Sequence, residues 1–148
     1  LIAAAALCAT LGAMPAASAQ QAPGWTYAYT DGVAAATQRD DRGRVTATMT
    51  CRPPEGDIII SDFTLVRAAR RATTAAVRIG NLTVNVPMRL EGRGRDRTVM
   101  INLPQRPPIL AGVQEQDVVT VTVNSQTHTY LAGRAVQLKK LAYACWGS

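Results

Sequence analysis

The middle of the chain alternates between apolar and polar residues. Between Arg44 and Cys51, Val45, Ala47, Met49 and Cys51 fall on one side, and Arg44, Thr46, Thr48 and Thr50 on the other. This period of two predicts a half-buried strand with Cys51 on its buried face. Leu82, Val84, Val86, Met88 and Leu90 form a second apolar face, opposed by Thr83, Asn85, Pro87 and Arg89. Pro87 cannot donate a ladder hydrogen bond, so this strand is expected at an edge or broken there. Val99, Ile101 and Leu103 make a third face, and Val119, Val121 and Val123 a fourth. Residues 57–66, with Ile58-Ile59-Ile60, read as a more deeply buried strand. Trp25, Tyr27 and Tyr29 share one face of a candidate first strand, either as an exposed aromatic strip or, for Trp25, as core.

Reversal signals fall between these runs: Asp40-Asp41-Arg42-Gly43, Pro53-Pro54-Glu55-Gly56, Gly80-Asn81, residues 93–97 and Asn124-Ser125-Gln126. Gly, Asn, Asp and Pro sit where tight turns need unusual backbone angles. Residues 104–112 break the pattern, with one helical turn expected at Ile109-Leu110-Ala111. Seven or eight short strands at this spacing predict a mainly β fold, an antiparallel β-sandwich or open barrel.

From residue 133 to 145 the period becomes helical. Ala135, Leu138, Leu141, Ala142 and Cys145 recur at spacings of three and four, with Arg134, Gln137 and Lys140 on another face. Lys139 and Lys140 are expected toward the helix C-terminus, where the dipole favours cations. The expected helix, residues 133–145, packs on the sheet and closes an open end of it.

Residues 1–19 carry no charge, are rich in Ala and end in Ala17-Ser18-Ala19, a small-x-small cleavage pattern. They read as a secretory signal peptide. No Met or basic segment precedes Leu1, so the true start is expected upstream. Cys8 would leave with this peptide; Leu7 stands where a lipid-attachment motif has a small residue. Residues 20–148 then form a single domain. Its two cysteines, Cys51 and Cys145, are expected to form a disulfide in an oxidising compartment. Such a bond closes a loop of about 95 residues, worth roughly 4–5 kcal/mol in the chain-entropy account.

Charge adds a second theme. The net charge is +6, and Arg supplies fourteen of the sixteen basic residues. They gather at Arg67, Arg70 and Arg71 and at Arg93, Arg95 and Arg97. A basic face of this kind suits an anionic partner. Nucleic acid is not expected, because no Tyr or Trp lies between Tyr29 and Tyr130 to stack on bases.

Candidate chemistry is sparse. His128, the only histidine, shares a strand face with Tyr130, opposite Leu131. It is either a general base or a hydrogen-bonded strand residue, and the second is the reading adopted. A Ser-His-Asp set would need Ser61 or Ser125 with Asp57 or Asp62, without a Gly-x-Ser-x-Gly turn. Asp57 and Asp62, five apart, face opposite sides of a regular strand, which argues against paired carboxylates. Gly92-Arg93-Gly94-Arg95 lacks the Lys-Ser/Thr ending of a phosphate loop. No catalytic residue, metal site or cofactor is assigned.

The tail from Thr129 to Cys145, with Tyr130, Leu131-Ala132-Gly133 and a helix closing on Cys145, resembles that of a known family. Trp25, then Thr48-Met49-Thr50-Cys51, then Leu110-Ala111-Gly112 and residues 118–123 extend the resemblance. It is to small exported bacterial proteins of the invasion-associated locus B type and related type VI secretion accessory proteins. It implies a β-sandwich with a terminal helix in the periplasm or outer envelope, and no settled activity. With two cysteines after residue 19, any second disulfide of the family pattern is absent.

These readings converge on a non-enzymatic exported envelope protein, periplasmic or secreted. It would bind a partner protein or an anionic surface, with membrane contact at most peripheral, as a virulence- or secretion-accessory factor. Two alternatives stand. One is a periplasmic enzyme inhibitor, presenting the stiff loop Gln105-Arg106-Pro107-Pro108, or a small hydrolase. The other is an assembly protein using a free sheet edge.

Overall fold

The alternating segments pair into one curled antiparallel sheet. The computed structural model describes residues 22–54, 56–106, 109–130 and 133–147. The expected leader at residues 1–19, with Cys8, lies outside them, as do Pro107 and Pro108 of the proposed inhibitory loop. In chain order the strands are β1 (Gly24–Thr30), β2 (Val33–Arg39), β3 (Val45–Cys51), β4 (Ile58–Asp62) and β5 (Thr74–Ile79). They continue with β6 (Leu82–Glu91), β7 (Thr98–Leu103), β8 (Val119–Val123) and β9 (Gln126–Tyr130), before a helix, α1 (Gln137–Trp146). Their spatial order is β1-β2-β3-β4-β7-β6-β5-β8-β9. The fold is therefore mainly β, an open half-barrel with a C-terminal helix. Nine strands form where seven or eight were expected.

The period-two pattern decides which side is inside. Ala47, Met49 and Cys51 of β3, Val99, Ile101 and Leu103 of β7, and Val119, Val121 and Val123 of β8 are all buried. Ile58 and Ile60 of β4 are wholly buried, while Ile59 is half-buried. Burying each Val, Leu, Ile or Met among them contributes about 1.5–3 kcal/mol.

Pro87 lies in an interior strand and divides it. Leu82 to Pro87 pair with β5, and Met88 to Glu91 pair with β7. The ladder changes partner at the residue that has no N–H to donate. Of the two expectations, break rather than edge is the outcome.

β4 is shorter than expected. The apolar run predicted a strand to Val66, but β4 stops at Asp62. The Asp62 carboxylate accepts the backbone N–H of Thr64 (2.6 Å) and of Leu65 (2.7 Å), which turns the chain out of the sheet.

The seam between the sheet's two ends explains one glycine. Trp25 N–H donates to the Gly133 carbonyl at 3.1 Å, joining the start of β1 to the segment after β9. Gly24 has φ 102°, and a Cβ there would stand 2.2 Å from the Gly133 oxygen. No other residue fits. Trp25 packs edge-on against Tyr130 across this seam, with ring centroids 5.6 Å apart.

The helix starts later than its periodicity suggests. Arg134 has φ 64°, a left-handed conformation that a right-handed helix cannot include. The next residues close tight i to i+3 turns before α1 begins at Gln137. Lys139 and Lys140 therefore occupy the first turn, not the C-terminal end, and the expected dipole benefit is lost. Glu115 offsets this by accepting the N–H groups of Arg134 (2.6 Å) and Val136 (3.1 Å). The predicted stripe is inside: Leu138, Leu141, Ala142 and Cys145 are buried, as is Ala135 just before the helix. α1 packs on β1 and β2. Gly147, at φ 70°, ends it by donating to the Tyr143 carbonyl. Cys145 is disulfide-bonded to Cys51, with Cα atoms 6.0 Å apart. No helix among the described residues is long and apolar enough to cross a membrane.

Candidate functional site

The strand order creates the site. Between β4 and β5 lies the β7–β6 pair. The connection from β4 to β5, residues 63–73, must therefore arch over the end of that pair, where residues 92–97 link β6 to β7. The two arginine groups of the sequence sit on these two connections. Arg67, Arg70, Arg95 and Arg97 line one depression of about 450 Å3, together with Phe63, Thr64, Val66 and Gly94. Arg71, at φ 66°, lines a separate cleft with Asn85, Thr122 and Asn124. Arg93 is exposed and does not line the depression. Four of the six expected basic residues thus converge.

Both walls are held in place. The lower connection turns tightly: a Cβ on Gly92 would stand 2.3 Å from the Asp96 carbonyl oxygen, and Gly92 has φ 83°. A short 3₁₀ turn at Gly94–Asp96 follows and presents Arg95. The upper connection is fixed at its start by Asp62 and further along by Asn124, whose side chain donates to the Ala68 carbonyl at 2.7 Å. Ala69 and Leu65 are buried beneath it.

Asp62 is the hub of this support. Its inward position on β4 leaves it fully buried. Besides the Thr64 and Leu65 N–H groups, Asp62 Oδ1 accepts the Thr64 hydroxyl at 2.9 Å. Asp62 Oδ2 accepts the Tyr130 hydroxyl and lies 3.6 Å from His128 Nδ1. Burial by itself would raise the carboxyl's pKa. Its interactions with His128, Tyr130 and the Leu65 and Thr64 amides outweigh that and hold it below the ordinary carboxylate value. Burial, then the Asp62 charge, pushes the Tyr130 hydroxyl well above the ordinary tyrosine value.

His128 meets Thr64 as well: Thr64 Oγ1 and His128 Nδ1 are hydrogen-bonded, and the rings of His128 and Tyr130 are 4.7 Å apart. A relay triad needs the carboxylate on one ring nitrogen and the hydroxyl on the other. Here Asp62 and Thr64 both address Nδ1, so the group locks the ring instead of activating a nucleophile. The serines named from the sequence are elsewhere. Ser61 is on the opposite face of β4, with its hydroxyl 3.3 Å from Met100 Sδ, and Ser125 is exposed in the β8–β9 turn. Asp57, also on the outer side, accepts from the Asn102 side chain at 2.6 Å. His128 borders a shallow cleft of about 380 Å3 beside Asp40, Arg44, Gln126 and Thr127. There Asp40 and Arg44 already pair at 2.7 Å. Among the described residues no three His, Cys, Asp or Glu side chains come together as a metal site.

The three aromatic residues of β1 do not act together. Trp25 is wholly buried, Tyr27 half-buried and Tyr29 58% exposed. Thr64, Phe63 and the hub role of Asp62 escaped the sequence reading. Asp62 was detectable, since it has the same strand parity as the buried Ile58 and Ile60.

No protein-family model, curated protein or solved structure matches this chain.

Proposed function

We propose that this chain is an exported, non-enzymatic binding protein of the bacterial envelope, and that the arginine depression is its ligand site. One observation carries the reading. Arg67, Arg70, Arg95 and Arg97 share a depression, and among the described residues no carboxylate pairs with any of them. Arg44 and Arg89, by contrast, each pair with a carboxylate, Asp40 and Glu91. Four like charges held together without counter-charge cost energy that an anionic ligand returns.

Export is supported by the cleavage pattern at residues 17–19 and by the disulfide, which oxidising compartments sustain. The resemblance to invasion-associated locus B and type VI secretion accessory proteins supports a virulence- or secretion-accessory role. The absence of a relay around His128 favours binding over hydrolysis. The test is calorimetric titration of the disulfide-bonded protein with inorganic pyrophosphate at low and high salt. Binding that weakens with salt and is lost in Arg67→Ala/Arg95→Ala is expected. No binding at low salt, or binding unchanged in that variant, overturns the assignment.

A further inference from the structure

The depression is not purely basic. Phe63, the only phenylalanine in the chain, is 45% exposed on its wall, and Val66 lies beside it. An aromatic side chain beside four guanidinium groups thus leaves nearly half of its surface outside the core. Its volume, about 450 Å3, falls within the range of compact-ligand sites, about 300–1,000 Å3. The walls are two short connections meeting over a strand pair, which encloses a head group better than an extended peptide.

Guanidinium forks match phosphoryl oxygens in bidentate geometry. A single carboxylate neutralises one of four positive charges, whereas a phosphomonoester carries about −1.5 to −2 at neutral pH. Resting on the anion-site reading above, we infer that the ligand is a phosphomonoester lipid head group at a membrane surface. Arg67, Arg70, Arg95 and Arg97 hold the phosphoryl group, and Phe63 enters the adjoining apolar layer. Asp62 is a positioning residue: its bonds to Thr64 and Leu65 set the turn that carries Phe63 and Arg67.

The experiment is co-sedimentation with phosphatidylcholine vesicles containing phosphatidic acid. Vesicles containing phosphatidylglycerol, matched for total charge, and soluble pyrophosphate run in parallel. Phosphatidic acid should be preferred by about tenfold, the gain expected from bidentate over diffuse attraction. Phe63→Ala should weaken vesicle binding by about tenfold, the burial of one aromatic side chain, and weaken pyrophosphate binding far less. Arg95→Lys/Arg97→Lys, which keeps charge and removes the fork, should abolish the preference for phosphatidic acid while retaining attraction to phosphatidylglycerol. Equal binding to both charge-matched vesicles overturns the inference, as does an unaffected Phe63→Ala. Pyrophosphate binding without vesicle binding overturns the lipid assignment and leaves the anion site standing. Failure to bind either overturns both.

Discussion

Two charged regions meet at Thr64 and are built on opposite principles. On the inner side, Asp62 is a single buried charge that accepts from two backbone amides and from the hydroxyls of Thr64 and Tyr130. On the outer side, four arginines crowd one depression, and among the described residues no carboxylate pairs with them. A buried charge without partners is too costly to keep, so Asp62 is satisfied within the chain. An exposed cationic cluster is tolerable because water screens it, so its partner can come from outside. The contrast separates a group that maintains the fold from groups that remain available for binding, although both lie on one turn.

Cys51 ends β3, at the opposite end of β4 from Asp62. Replacing Cys51 and Cys145 by Ser should lower stability by about 4–5 kcal/mol in the chain-entropy account. Urea denaturation measures this, and pyrophosphate titration of the still-folded protein should be unchanged. If anion binding falls as far as stability does, the two ends are not independent.

Asp62→Ala strands the Tyr130 hydroxyl and two backbone N–H groups. It should cost about 3–5 kcal/mol and also weaken anion binding, because Arg67 and Phe63 lose their anchored turn. Loss of stability with intact anion binding would separate the two regions completely.

Acid should act through the same carboxyl. Asp62 is held below its unfolded value of about 3.9. Its contribution is therefore fully present above that value and is lost as pH falls through the folded value. Denaturation midpoints measured from neutral pH to acid should drop more steeply for the native protein than for Asp62→Ala. Parallel curves would contradict the depressed carboxyl.

Tyr130→Phe removes one of the donors to Asp62 and retains the rest. A loss of about 1.5–3 kcal/mol is expected, the usual range for a hydrogen bond to a charged group. Thermal denaturation reads it directly. Arg67→Ala or Arg95→Ala should change stability by no more than about 0.5 kcal/mol, with any gain coming from relieved repulsion. The same variants should nevertheless lose salt-sensitive anion binding. A large destabilisation in either would mean that these arginines hold the fold.

Much of the scaffold was legible because it depends on local alternation. The buried faces of β3, β7 and β8 follow the period of two, and the stripe of α1 follows spacings of three and four. The turns at Gly80 and Asn124 occur where Gly and Asn were expected, at φ 56° and 54°. The misplacements share a cause. β4 ends early because a side chain captured its own backbone, and α1 starts late because one residue turned left-handed. Each is a local competition that hydrophobic period does not register. Pro87 signalled an interruption, but whether it meant an edge or a change of partner depended on strands far away in sequence.

The mainly β class, the inward faces, the cysteine pair and the clustering of Arg into two short segments can be read along the chain. Those properties are set by neighbours within a few residues or, for the cysteines, by there being one pairing of the two that follow residue 19. That the two segments face each other is a property of the assembled sheet. That follows from the order β4-β7-β6-β5, which forces residues 63–73 across the turn at residues 92–97. The assembled sheet also decides that Asp62, Tyr130 and His128, 66 residues or more apart in the chain between β4 and β9, share one buried network. Curling the sheet brings β9 against the end of β4, and no period along the chain encodes that approach.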